Sequence, residues 1–243
     1  MAFMKLLIIT GGSKGLGKAL VEQYRSQGYI IAEFSRTAPY PFSTYADFST
    51  PDSMLACIRE PLAKLAAQEW DEILVISNAA TLSPMGPVAR KDARDVMRNI
   101  HINVTSSIVF IGEVIRLFQD HATRKIIAGI SSGAANKAYA GWSLYCAVKA
   151  ALESFIRTVA VEQDDENHPF ETVNLDPGVM DTEMQTLIRS ADRDDFPTVD
   201  YFIQRKENGE LRTPEQIASG IVDILFQHEF SSGERIAVRE FIG

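Results

Sequence analysis

Lys5-Leu6-Leu7-Ile8-Ile9-Thr10-Gly11-Gly12-Ser13-Lys14-Gly15-Leu16-Gly17 decides the fold. Four consecutive apolar residues suit a strand buried on both faces, and a Gly-rich turn follows them into a segment of helical period that ends at Gly28. A glycine turn between a first strand and a first helix lets backbone N–H groups approach a pyrophosphate, to which the helix N-terminus adds favourable partial charge. The spacing Gly11, Gly15, Gly17 is not the tighter G-x-G-x-x-G, and the stretch lacks the Gly-Lys-Ser/Thr ending of an NTPase phosphate loop.

Outward from this turn, strand-length apolar runs alternate with helix-period segments. Strands are expected at 4–10, 29–35, 43–47, 72–77, 125–131, 171–175 and 235–239, and helices at 16–27, 52–69, 90–119, 143–163 and 214–228. The alternation predicts an α/β fold: a three-layer, Rossmann-type doubly wound sheet of about seven parallel strands flanked by helices. No linker, repeat or low-complexity tract divides residues 1–243, so one dinucleotide-binding domain is expected. The irregular, mixed-charge stretch at about 178–213 reads as a substrate lid.

The 24 Lys and Arg against 32 Asp and Glu leave a net charge of −8. That balance disfavours phosphate backbones and anionic membrane surfaces, and no local basic run offsets it, so no nucleic-acid or membrane partner is expected. Cys57 and Cys146 form no CxxC pair, and His101, His121, His168 and His228 have no ligand spacing; no metal is expected and the histidines read as structural or surface groups. With no secretory-type N-terminus in Met1-Ala2-Phe3-Met4-Lys5 and no run of about 18 apolar residues, a cytoplasmic protein is expected.

The second strand ends at Phe34-Ser35-Arg36-Thr37, where such a fold meets the adenosine ribose. A carboxylate there would repel a 2′-phosphate. Arg36, with Ser35 beside it and Ser13 and Lys14 in the turn, suits that phosphate, so the expected cofactor is NADPH/NADP. The strand at 125–131 delivers Ser131-Ser132 at its carboxyl end. Tyr145 follows 13 residues after Ser132, and Lys149 lies four residues beyond on the same helix face. A phenol is a poor acid–base catalyst at neutral pH, and a neighbouring ammonium is expected to lower its pKa. Ser132 is placed to hydrogen-bond an oxygen on which negative charge develops.

Thr10-Gly11-x-x-x-Gly15-x-Gly17, Asn78-Ala79-Ala80, Asn103, Ser132, Tyr145-x-x-x-Lys149 and Pro177-Gly178 resemble the short-chain dehydrogenase/reductase family in order and spacing over essentially the whole chain. The resemblance implies that Tyr145 is the catalytic acid/base, that Ser132 polarises the substrate carbonyl, and that Lys149 binds the nicotinamide ribose and tunes Tyr145. It implies that Asn103 holds a water in the proton relay. Cofactor contacts are implied for Gly11, Ser13, Lys14, Gly15, Leu16, Gly17, Ser35 and Arg36. Asp47 and Phe48 follow as the adenine-contacting pair, Asn78, Ala79 and Ala80 lie beside the cofactor, and Pro177, Gly178, Val179 and Thr182 reach its nicotinamide end. Ser77 stands where the family usually carries an additional Asn. The family pairs through its two long helices, here 90–119 and 143–163, so a homodimer is implied, with a tetramer as the alternative.

Residues 141–151, 177–185 and 229–233 carry a narrower likeness to the sepiapterin reductases and the related benzil reductases, which reduce one carbonyl of a vicinal dicarbonyl with NADPH. The likeness implies a small-molecule carbonyl substrate. Sepiapterin reductases anchor the pterin with a carboxylate at the position of Ala237, and Glu240 lies three residues further on. Trp142, Met180, Met184, Phe196 and Tyr201 are candidate apolar walls for an aryl dicarbonyl. Two other readings compete: a non-catalytic dinucleotide-binding sensor, which the presence of Ser132, Tyr145 and Lys149 opposes, and an NAD(P)-linked alcohol dehydrogenase of another substrate class.

Overall fold

A computed structural model describes residues 3–227 and 229–242. Its centre is a seven-stranded sheet in the order β3-β2-β1-β4-β5-β6-β7, every neighbouring pair parallel. The strands are β1 Lys5–Thr10, β2 Ile30–Ser35, β3 Ser43–Tyr45, β4 Glu72–Ser77, β5 Arg124–Ile130, β6 Phe170–Asp176 and β7 Glu234–Ala237. The helices are α1 Gly15–Ser26, α2 Pro51–Ala66, α3 Ala93–Ile100, α4 Ser106–Phe118, α5 Ser143–Gln163, α6 Glu183–Arg189, α7 Val199–Glu207 and α8 Pro214–Gln227. His228, read above as a structural or surface group, lies outside the described residues, as do Met1, Ala2 and Gly243.

The two-residue period of β1 sets the layers. Leu7 and Ile9 join a core with α1 and α8, whereas Leu6 and Ile8 join one with α2, α4 and α5. Both sets are fully buried, which is why the strand reads as an unbroken apolar run. A third apolar cluster, around Trp142, Tyr145, Phe196 and Phe202, packs α6 and α7 over the carboxyl ends of the strands.

Two expected elements differ. The helix anticipated over 90–119 is split into α3 and α4 by a π-helical turn at His101–Thr105, and Asp92 caps α3 by accepting from the Arg94 N–H at 2.8 Å. The expected irregular 178–213 stretch contains α6 and α7, whose buried Ile188, Val199 and Phe202 supply apolar anchors too widely spaced to register as one periodic run. The segment Ala93–Phe118 has the length and apolarity to cross a membrane by composition alone, with a mean hydropathy of 1.4, but here it packs against α2 and α5.

Candidate active site

The chain runs outward from β1 through β2 to β3, then returns to β4 on the other side of β1. Ligands of open α/β sheets bind outside the carboxyl ends of the strands at such a reversal. A cleft of about 1490 Å³ opens there, and every residue assigned above to the cofactor lines it, as do Ser132, Tyr145 and Lys149. Asn103 does not.

At the dinucleotide end, the β1–α1 turn is held by β4. Thr10 Oγ1 accepts the N–H groups of Asn78 and Ala79 at 3.0 and 3.1 Å, and Asn78 Nδ2 donates to the carbonyls of Thr10 and Gly11. Two glycines are obligatory in this packing. Gly11 has φ +69°, and a Cβ on Gly17 would stand 2.1 Å from the Gly11 oxygen. The α1 N-terminus carries no side-chain cap and no acidic residue in its first turn, so its orphan N–H groups remain for an anion. A close glycine cradle against an uncapped helix end fits a dinucleotide pyrophosphate.

Arg36 is exposed at the end of β2 and lines the cleft. Burial works against ionisation of Asp47, but hydrogen bonds from Ser49 and the nearby Arg36 and Arg98 charges hold its carboxyl below the usual range. Phe48 contributes to the cleft wall while its ring packs on Phe110 in the core. Lys14 is ion-paired with Glu183 at the start of α6, a link across the cleft that its place in the turn does not announce.

At the other end, α5 places Tyr145 and Lys149 on one face, with Lys149 Nζ 5.8 Å from the phenol ring centre and donating to the Ile130 carbonyl at 2.8 Å. Burial pushes the phenol up to about 12, opposed by its hydrogen bond with Ser132 and reinforced by Asp176 and Cys146. The phenol is not lowered as expected, and the same burial brings the Lys149 ammonium down to about 8, despite the pull of Asp176 and Glu153. Tyr145 is therefore a phenol at neutral pH, the state a proton donor requires.

Sequence reasoning missed the charged scaffold behind this pair. Arg235 of β7 bridges Glu153 at 2.8 Å and Asp176 at 2.7 Å, and its guanidinium also reaches the Ser132 carbonyl. Glu153 further accepts from the Ser131 hydroxyl, and Asp176 accepts the Gly178 N–H at 3.0 Å. One signal was available. Glu153 lies four residues beyond Lys149, on the face that already carries Tyr145.

Asn103 sits in the π turn, buried below the cleft wall. Its side chain accepts from the Thr81 N–H at 3.0 Å and donates to the Thr81 carbonyl at 2.9 Å and to Asn99. It positions the segment after β4 and presents no side-chain atom to the cleft. Of the candidate apolar walls, Trp142, Met180, Met184 and Tyr201 line the cleft, whereas Phe196 is fully buried behind Trp142, stacked at 4.6 Å. Glu240 is exposed and outside the cleft; the C-terminal segment offers it Arg235 and Arg239 instead. Among the described residues no cluster of His, Cys, Asp and Glu has metal-binding geometry.

A glycine cradle at the strand reversal, joined to a Ser–Tyr–Lys cluster, defines an oxidoreductase that uses a nicotinamide dinucleotide to interconvert carbonyl and alcohol groups. The chain belongs to the short chain dehydrogenase family, whose profile matches residues 5–193. It is 32% identical over 246 residues to benzil reductase ((S)-benzoin forming) of Bacillus subtilis (strain 168), covering 98% of this chain and 100% of that protein. It is 26% identical over 254 residues to sepiapterin reductase of Xenopus tropicalis, covering 95% of each. Among solved structures, a short chain dehydrogenase/reductase from Saccharomyces cerevisiae superposes with a TM-score of 0.83 at 22% identity, covering 98% of this chain and 100% of that one.

Proposed function

We propose that this enzyme is an NADPH-dependent reductase of one carbonyl of a vicinal dicarbonyl, benzil-like rather than pterin-like. The observation that carries the reading is the buried, protonated Tyr145 beside Ser132, facing a cleft with aromatic and thioether walls at one end and Arg36 at the other. Arg36 in place of a carboxylate favours a 2′-phosphate. Among the described residues the C-terminal segment brings Arg235 and Arg239 to the wall and no carboxylate of the kind that anchors a pterin ring, which favours an uncharged dicarbonyl. The full-length likeness to benzil reductase ((S)-benzoin forming) supports the same substrate class.

Bound in the cleft, reduced nicotinamide supplies the hydride. The chain does the rest. Ser132 Oγ accepts the Ala134 N–H at 3.1 Å, and its O–H, directed at the Tyr145 oxygen, turns to the substrate oxygen as negative charge builds there. Tyr145 transfers its phenolic proton to that oxygen, completing the alcohol. Lys149, fixed by the Ile130 carbonyl, holds positive charge next to the phenolate that results. Pairing of two copies through α4 and α5, as in the family, is the proposed assembly, and the free thiols Cys57 and Cys146 suit a reducing, cytoplasmic setting.

Tyr145→Phe keeps the ring and removes the proton. Turnover of benzil should fall by at least about a hundredfold, with NADPH affinity, read by nucleotide fluorescence, unchanged. Retention of wild-type turnover would overturn the mechanism.

A further inference from the structure

On α6, Gln185 is only 2% exposed, and its carboxamide Nε2 and Oε1 both lack a hydrogen-bond partner among the described residues. The residue nonetheless forms part of the cleft wall. Its place in the fold is fixed at both ends. Its backbone N–H donates to the capping Thr182 hydroxyl, and Ile188, one helical turn on, packs in the cluster that contains Trp142 and Tyr145. Trp142, 5.6 Å from the Tyr145 ring centre, holds a second orphan donor, its indole N–H, in the same wall. Buried donors without partners are costly, and most native ones are satisfied, so an unpaired carboxamide in a ligand cleft implies an oxygen acceptor brought by the ligand.

We propose that Gln185 is a specificity-determining residue that donates to the second, non-reacting carbonyl oxygen of a vicinal dicarbonyl. The inference rests on the dicarbonyl reading above and adds the group that tells a diketone from a simple ketone. Tyr145 and Ser132 serve the reacting oxygen, and an adjacent carbonyl places its oxygen one carbon–carbon bond further along the substrate, towards the lid. Because α6 belongs to the segment over the cleft, pairing also relieves the share of the buried amide's penalty that falls on Nε2. A simple ketone leaves that penalty in place.

The test compares wild type with Gln185→Met, a near-isosteric apolar side chain, on benzil and on deoxybenzoin, in which one benzil carbonyl is a methylene. The ratio of kcat/KM for benzil to that for deoxybenzoin should fall about tenfold or more in the variant, the worth of one buried hydrogen bond. The thermal midpoint of the free variant should rise by about 2–4 °C as the orphan amide disappears, which also shows that it folds. An unchanged ratio overturns the assignment. A weakened NADPH Kd with an unchanged ratio also overturns it, by giving the amide to the nicotinamide carboxamide instead. Failure of wild type to reduce benzil at all is a different result, one that removes the dicarbonyl reading itself.

Discussion

At the residue scale, ionisable groups divide the cleft into two functions. Arg36 stands exposed on the cleft wall, near enough to Asp47 for its charge to hold that carboxyl down, and its proposed contact with a 2′-phosphate would be worth a charged hydrogen bond, about 1.5–3 kcal/mol. Arg36→Ala should therefore raise the NADPH Kd roughly ten- to a hundredfold while leaving the NADH Kd nearly constant; equal weakening with both nucleotides would remove the assignment. Lys149 supplies a pH signature. Its folded pKa of about 8 lies below its ordinary 10.5, so between those values the unfolded chain binds the extra proton and folding gains stability as pH rises. Urea unfolding should show wild type gaining on Lys149→Met from about pH 8 to 10.5, with a constant difference below that window; a flat difference throughout would contradict the burial argument. That Ser132, Tyr145 and Lys149 share one cleft was legible from their spacing, but the direction of the Tyr145 shift was not. Spacing shows that an ammonium is near, whereas burial, which outweighs it, is a property of the packed cluster.

At the element scale, the site depends on how β4 grips the β1–α1 turn. Thr10→Val keeps the shape of the side chain but strips two backbone N–H groups, those of Asn78 and Ala79, of their acceptor. The variant should lose about 1–3 kcal/mol in denaturant unfolding and bind NADPH more weakly, since the same turn forms the cradle; stability within about 0.5 kcal/mol of wild type would show that the brace is dispensable. The strands were readable because a parallel sheet covered on both faces writes itself as apolar runs, as in Lys5–Thr10 and Glu72–Ser77. The break in the 90–119 helix was not, because Asn103 is drawn to the Thr81 backbone by a contact 22 residues away in sequence. Long range also hid the Arg235 bridge, whose partners Glu153 and Asp176 lie 82 and 59 residues from it, and the tie from Lys14 to Glu183.

At the scale of the whole molecule, a chain of net charge −8 concentrates cations where a phosphorylated dinucleotide would lie, with Lys14, Arg36 and Arg98 on the cleft wall. The opposite end closes with aromatic and thioether groups from α5, the β6–α6 connection and the α6–α7 segment. In the proposed reaction cofactor and substrate meet at Tyr145 from two chemically different halves of one cleft, and the acidic balance that disfavours polyanions coexists with a local group of cations on the cleft wall. The most direct measurement is product analysis after incubation of the purified enzyme with benzil and NADPH. One NADPH should be consumed per benzil, benzoin should accumulate without further reduction, and NADH should substitute poorly. No NADPH consumption, or equal use of NADH, would contradict the account.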